Sequence, residues 1–354
     1  MPTALFTGFP GFIGGRLLAR LLALEPETSY CCLVQERFLP QAQAALGQMD
    51  AAGRVSLAVG DITQPGLGLE PARARSLARE LTGAFHLAAA YDLAVSRAVG
   101  FRVNVEGTRH VLRFLAECPT FRRLHYVSTA YVSGRAVGVF REIDLDVGQS
   151  FKNAYEETKF LAEVEVARSG LPATIYRPSV VVGDSRTGET AKFDGPYFVL
   201  SAMDRVPSGV FMRVGWGHRP INVVPVDFVI EAMARLATSP APPDGALHLT
   251  DPAPPTALEA ARLLAAALGK SFVFVPLPRP LARAALTPRA VQRYLGMPVE
   301  TVDYYDYPCL HDATAATRAL VPLGIACPRL ADYVNVLVRF WRERRGEIRS
   351  AAML

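Results

Sequence analysis

Thr7-Gly8-Phe9-Pro10-Gly11-Phe12-Ile13-Gly14 is the stretch on which the reading of this 354-residue chain turns. Before it, Ala4 to Thr7 is a short apolar run with strand character. After it, Phe12 to Leu24 places Ile13, Leu17, Leu18, Leu21 and Leu22 at helical spacing. Gly8, Gly11 and Gly14 thus fall between a first strand and a first helix. A pyrophosphate needs close backbone approach and the free N–H groups of a helix N-terminus, and glycine permits both. The bland alternative is an ordinary strand–helix turn. Its place at the head of a βαβ unit favours a dinucleotide, with Thr7, Gly8, Pro10, Gly11, Phe12, Ile13 and Gly14 around the phosphates.

Outward from this turn, short apolar runs alternate with helical patterns. Strands are expected at Ser29 to Gln35, Val55 to Val59, Ala84 to Ala89, Arg123 to Val132 and Ala173 to Val182. Helices are expected at Pro40 to Met49, Glu70 to Leu81, Arg97 to Cys118 and Ala154 to Arg168. Such alternation predicts an α/β fold, a doubly wound parallel sheet of the Rossmann type. After Gly183 the pattern breaks, and Asp184 to Gly195 reads as a mobile polar loop. Proline-rich turns at 239–245 and 252–256 flank a last strand, Ala246 to Thr250. The division expected is a dinucleotide-binding domain over 1–183 and about 221–250. A smaller, mixed substrate lobe takes 184–220 and 251–354, helical and irregular in its C-terminal part.

Composition narrows the class. Half the residues are hydrophobic and a fifth charged, the profile of a globular protein. The net charge of +5 is spread along the chain and gives no argument for nucleic acid. Cys31, Cys32, Cys118, Cys309 and Cys327 show no metal-ligand spacing, so no metal is expected. No signal peptide or membrane-spanning run is visible, which predicts a cytoplasmic location. A homodimer is compatible with the sequence.

Several residues could complete a cofactor site. Asp61-Ile62 follows the third strand, where an acid could accept from the adenine amino group; a turn aspartate is an equal alternative. His86-Leu87-Ala88-Ala89 closes the fourth strand, where small residues such as Ala88 and Ala89 would let a cofactor lie across the sheet edge. At the end of the second strand Gln35-Glu36-Arg37 is mixed. Arg37 could pair with a 2′-phosphate and Glu36 with a 2′-hydroxyl. The reading favours NADP(H) and leaves NAD(H) open.

Tyr155 and Lys159 are one helical turn apart and share a face. The chain has twelve tyrosines but only four lysines, Lys152, Lys159, Lys192 and Lys270, so the pairing is seldom met by chance. A lysine there can lower the phenol and hold the cofactor ribose, and the phenol can then exchange a proton with a carbonyl oxygen. Ser128 and Thr129, at the end of the fifth strand, alternate in direction. Only one of them can bond a substrate oxygen beside Tyr155.

Together these motifs resemble the extended short-chain dehydrogenase/reductase family over roughly residues 3–250. The set adds Asn104-Val105-Glu106-Gly107-Thr108 and Tyr176-Arg177-Pro178-Ser179-Val180. The resemblance implies Pro178, Ser179 and Val180 at the nicotinamide and Asn104 behind the site. Its spacing to Gly134 selects Thr129 over Ser128. A narrower likeness to the thioester-reductase and fatty-acyl-reductase branch rests on Leu33-Val34 with Arg37, Val59 to Thr63, Ser128-Thr129-Ala130 and Ile221 to Asp227. It implies reduction of an acyl thioester with NADPH, the acyl group arriving on CoA or on a separate carrier protein. This chain departs from the branch at Gln35, where arginine is common.

The rivals are a nucleotide-sugar epimerase or dehydratase of the same fold, a ketone or alcohol dehydrogenase for an apolar molecule, and a non-catalytic sensor. Apolar Pro196 to Leu200 and Val210 to Met212 speak against a sugar nucleotide. His218 reads as a solvated loop residue. The basic helix expected from Asp332 to Arg345 reads as packed on the small lobe, with a membrane surface as the alternative.

Overall fold

Continuous burial, rather than alternation, marks most of the inner strands of the central sheet, because helices cover both of its faces. The computed structural model describes residues 2–91, 95–305 and 307–347. β1 (Thr3–Thr7) leads into α1 (Phe12–Leu24), β2 (Ser29–Val34), α2 (Leu39–Gly47), β3 (Val55–Val59), α3 (Pro71–Glu80) and β4 (Leu81–His86). α4 (Arg97–Gly100) and α5 (Gly107–Ala116) follow, joined by a π-helical stretch, Phe101–Glu106. Next come β5 (Arg123–Val127), β6 (Gly138–Phe140), α6 (Ala154–Arg168), β7 (Ala173–Pro178) and β8 (Val180–Val182). The chain continues through α7 (Pro196–Arg205), β9 (Gly209–Val214), β10 (Val223–Pro225), α8 (Val226–Ala237) and β11 (Gly245–Leu249). It ends with α9 (Ala257–Ala267), β12 (Phe272–Leu277), α10 (Arg279–Leu286), α11 (Arg289–Leu295), β13 (Cys309–His311), α12 (Thr314–Leu320) and α13 (Leu330–Arg344).

Seven strands form one sheet in the order β3-β2-β1-β4-β5-β7-β11, all parallel. The order reverses between β1 and β4, and the crevice at that switch point is where such sheets take their ligands. Leu17, Leu18, Leu21 and Leu22 of α1 pack with Val229 and Met233 of α8 on one face. Leu77 of α3, Val111 and Leu115 of α5, and Ala162 and Val166 of α6 fill the other. Truncating Leu21, which is fully buried, is expected to cost about 2–5 kcal/mol.

Several boundaries differ from the sequence reading. β4 ends at His86, not Ala89, because the Thr7 hydroxyl accepts from the Leu87 and Ala88 amides at 3.2 and 3.1 Å. β5 ends at Val127, not Val132; Thr129 caps a 3-10 turn, Ala130–Ser133. The sixth expected strand breaks after Pro178, and Val180–Val182 pairs with Val223–Pro225 outside the main sheet. The long helix from Arg97 is helical throughout but carries the π stretch.

The C-terminal part is more ordered than irregular. β9 and β12 form a parallel pair and β6 and β13 another. Lys270 donates to the carbonyls of Met203, Asp204 and Val206 at 2.6–2.9 Å and so closes the C-terminus of α7. The loop Asp184 to Gly195 lacks helix and strand, as expected, yet it is pinned. Ser185 bonds Asp227, Arg16 pairs with Glu189, and Phe193 is buried against Tyr197 and Phe340. α13 turns Tyr333, Val334, Leu337, Val338 and Trp341 into a core with α9, which leaves its charged side outward. Among the described residues no helix is long and apolar enough to cross a membrane, and no cluster of metal-ligating side chains is present.

Candidate active site

A cavity of about 1320 Å³ opens above the carboxyl ends of β1, β4 and β5 and runs under α7, α10 and α11. The opening glycine turn forms one wall. Gly8 has φ +93°, a conformation that favours glycine, and the Gly11 amide donates back to the Gly8 carbonyl at 2.9 Å. A Cβ on Gly14 would lie 2.3 Å from that same carbonyl oxygen. The glycines therefore fold the turn tightly against the first turn of α1. That turn has no side-chain cap among the described residues, so its amides are available to an anion. This shape and these donors fit a dinucleotide pyrophosphate.

Of the residues expected around a cofactor, Gly8, Pro10, Gly11, Phe12, Ile13, Gly14, Arg37, Ile62, Ala88, Ala89, Pro178, Ser179 and Val180 all line the cavity. Three others sit behind its wall with their side chains engaged. Thr7 bonds His86 at 2.8 Å and links β1 to the end of β4. Asn104 accepts from the Ala90 amide at 2.7 Å and donates to Thr158 at 3.0 Å, which ties the end of β4 to α6. Asp61 accepts from Gln35 and from the Thr63 amide, at 2.9 and 2.8 Å. Burial works against the Asp61 carboxylate, but Thr63, Gln35 and Arg37 together hold it below the usual range. The other end of Gln35 accepts from Arg37 at 2.9 Å, and the Arg37 guanidinium lies over the Phe38 ring. Asp61 thus acts on the cavity at one remove, by fixing Gln35 and through it Arg37.

The opposite wall carries the residues expected to do acid–base work. Asn153 caps α6 by accepting from the Glu156 amide, which places Tyr155 in the first turn and Lys159 in the second. Tyr155, Lys159 and Glu163 are all buried on the face turned to the sheet. Lys159 donates to the Val127 carbonyl at 2.7 Å and the Tyr126 hydroxyl at 2.9 Å. Burial lowers its ammonium to about 7, opposed by Glu163. Burial raises the Tyr155 phenol above its ordinary value, and the group that pulls it back down is the hydrogen-bonded Thr129 hydroxyl. The expectation that Lys159 acidifies Tyr155 is therefore not met here, because the ammonium is turned to Val127 and Tyr126.

Thr129 and Ser128 part company as their alternation requires. Ser128 donates to the Glu163 carboxylate, which Arg177 holds through Nε and Nη2 at 2.9 and 2.6 Å. The remaining Arg177 donors reach the Glu142 and Asp144 carbonyls and His248. The buried pair is thus satisfied on both sides.

The sequence reading missed residues that other segments bring in. Tyr91 meets Tyr155 edge-on with ring centres 5.3 Å apart. Asp194 lines the cavity beside it, its carboxyl pushed up to about 6 by burial against the pull of Lys192. Tyr131 and Tyr304 line the cavity as well. A signal for the last was present in Tyr304-Tyr305 and Tyr307, three aromatics within four residues. Phe198, Val199, Val210 and Met212 line the cavity as expected, whereas Tyr197 and Leu200 belong to the core beneath. His218 is exposed and lies off the cavity.

A family profile described as male sterility protein matches residues 6–233. A linear gramicidin synthase polypeptide of Brevibacillus parabrevis is 29% identical over 290 residues, 76% of this chain and 5% of that protein. An isonitrile lipopeptide synthase of Streptomyces coeruleorubidus is 29% identical over 270 residues, 70% of this chain and 18% of that protein. The chain thus matches only a small part of each of these relatives. The terminal R domain from the myxalamid PKS-NRPS biosynthetic pathway superimposes with a TM-score of 0.81 at 27% identity, covering 97% of this chain and 91% of that one. A thiolation-reductase di-domain from an archaeal non-ribosomal peptide synthetase superimposes at 0.74 with 17% identity, covering 98% and 76%.

Proposed function

The chain belongs to the male sterility protein family of extended short-chain dehydrogenase/reductases, NAD(P)-dependent oxidoreductases, and we propose that its reaction is the NADPH-driven reduction of an acyl thioester with Tyr155 as proton donor. The observation that carries this reading is the meeting of Tyr155, Thr129 and Lys159 on a wall that faces the glycine turn across an apolar cavity.

When bound, the cofactor would supply a hydride for the carbonyl carbon. The glycine turn and the start of α1 would hold its pyrophosphate, and Pro178, Ser179 and Val180 its nicotinamide. Arg37, oriented by Gln35, would pair with a 2′-phosphate, and this supports NADPH as the preferred form. Tyr155 gives its phenolic proton to the substrate oxygen as negative charge develops there. Thr129, which hydrogen-bonds Tyr155, turns its single O–H to the same oxygen once substrate binds. Lys159, at about 7, sits one turn away, where it can hold the ribose. The resulting hemithioacetal collapses to an aldehyde and a thiol.

Phe198, Val199, Ala202, Leu286, Leu295 and Met297 suit an apolar acyl group better than a sugar nucleotide. On this reading 184–220, 251–305 and 330–347 form the substrate lobe, whereas α12 packs with α8 and β11 in the dinucleotide-binding part, and the thioester arrives on CoA or a carrier protein. The test is cofactor oxidation, with NADPH and NADH in parallel, against acyl-CoAs, carrier-bound acyl groups, aldehydes and ketones of graded length. Thioester-dependent oxidation with thiol release is expected. Turnover of ketones or alcohols alone would replace this reading with a simple dehydrogenase.

A further inference from the structure

Lys152, just before the Asn153 cap of α6, and Glu156, in its first turn, are a pair of opposite charges, and their side chains are 1% and 0% exposed. Burying both is costly, and an apolar pair of similar size would serve stability as well or better. Their contacts suggest a different purpose. The Lys152 ammonium donates to the Gly134 carbonyl at 2.6 Å and to Glu156 at 3.2 Å. It also faces the rings of Tyr307, Tyr304 and Tyr131 at 3.8, 5.3 and 5.7 Å. Glu156 accepts from the Lys152 amide at 3.0 Å and from the Tyr304 hydroxyl. That hydroxyl in turn accepts from Asn153 at 2.7 Å.

Three segments meet at this one ammonium. Gly134 closes the turn that begins at Thr129. Glu156 adjoins Tyr155 in the first turn of α6. Tyr304 and Tyr307 come from the C-terminal region, and Tyr304 and Tyr131 line the substrate side of the cavity. Only four of the 38 lysine and arginine residues in the chain are lysine. A compact ammonium can point three donors in three directions, which a planar guanidinium cannot do in the same space.

We propose that Lys152 is a positioning residue: through Gly134, Glu156 and the three tyrosines it clamps the substrate wall to both segments that carry the reacting hydroxyls, Thr129 and Tyr155. The proposal deepens the reductase reading and rests on it for its catalytic half. The clamp fixes the distance between the acyl pocket and the proton donor, and misplacement of about 1 Å can cost ~100-fold in rate.

The test uses the full chain with the paired substitution Lys152→Met and Glu156→Gln, which removes both charges together. A second variant, Tyr304→Phe, keeps the charges and removes only the bridging hydroxyl, so the clamp is tested even if the first variant fails to fold. Hydrogen exchange and turnover are measured on each, with turnover normalised to NADPH-binding sites. The expected result is faster exchange in residues 131–136, 152–157 and 299–305 together, kcat reduced ~10- to 100-fold, and NADPH affinity within about twofold. Exchange altered only beside the substituted residue, or kcat within about threefold of the parent, would overturn the clamp. A parent protein that turns over no thioester sinks the reductase reading by itself, and the exchange measurement then decides the clamp alone.

Discussion

The Ser128 hydroxyl donates to the Glu163 carboxylate, and that bond commits Ser128 to the buried Arg177–Glu163 pair rather than to the cavity. Thr129, the next residue, points the other way and bonds Tyr155. Two adjacent hydroxyls thus carry separate tasks. Thr129→Val is expected to lower kcat by ~100- to 1000-fold with the fold intact, the size of effect seen when one oxyanion donor is lost. Ser128→Ala is expected to leave kcat within a few-fold and to lower stability by about 1.5–3 kcal/mol, because it takes a hydrogen bond from a buried charge. Steady-state kinetics beside urea unfolding of the two variants separates these outcomes, and a reversed pattern would assign the substrate bond to Ser128.

On the proposed reading, Arg37 distinguishes NADPH from NADH through the 2′-phosphate. Its guanidinium is aimed by Gln35, which Asp61 holds in turn. Arg37→Ala is expected to weaken NADPH binding by ~10- to 100-fold and to leave NADH binding unchanged, since one charge-assisted contact is worth about 1.5–3 kcal/mol. Fluorescence titration with both cofactors reads this directly. Equal losses for the two would place Arg37 on a part of the cofactor common to both.

Acid should unfold this protein through its histidines. Burial holds His86 and His125 at about 3, His311 at about 4 and His248 at about 2, all below the usual 6.5. Their folded values lie below their unfolded ones, so the unfolded chain binds more protons from about pH 6.5 downward. Stability is therefore present above that range and falls as pH falls, by about 1.4 kcal/mol per pH unit for each histidine that titrates only when unfolded. Asp194 at about 6, with Glu142 and Glu156 also raised by burial, takes up protons in the folded state and offsets part of the loss. The urea midpoint is expected to drop steadily between about pH 7 and pH 5. A flat profile would mean that the buried histidines are charged in the fold.

How much of the fold is legible in the sequence depends on the range of the forces that set each feature. α1 runs over the residues its periodicity marks, and α6 spans its expected range behind the Asn153 cap. Strand ends are harder, because distant groups set them. β4 stops where Thr7, from another strand, takes the next two amides. Val180 to Val182 reads as a continuation of β7, but Pro178 lacks an N–H and the chain leaves the sheet to pair with β10. The β9–β12 pairing joins residues about sixty apart and has no local signature. The site divides in the same way. Tyr155 and Lys159 announce themselves because they share one helix. Tyr91, Asp194 and Tyr304 reach the cavity only through tertiary packing, and nothing in the sequence marks the ion pair of Lys152 and Glu156 as buried.

The central claim is that Tyr155 protonates the substrate oxygen, and Tyr155→Phe tests it most directly. The ring remains to pack against Tyr91, and only the hydroxyl is lost. With NADPH and an acyl thioester that the parent protein reduces, the account expects kcat to fall by at least ~1000-fold while NADPH affinity stays within about twofold. Turnover within about threefold of the parent would contradict it and move the proton donor elsewhere in the cavity.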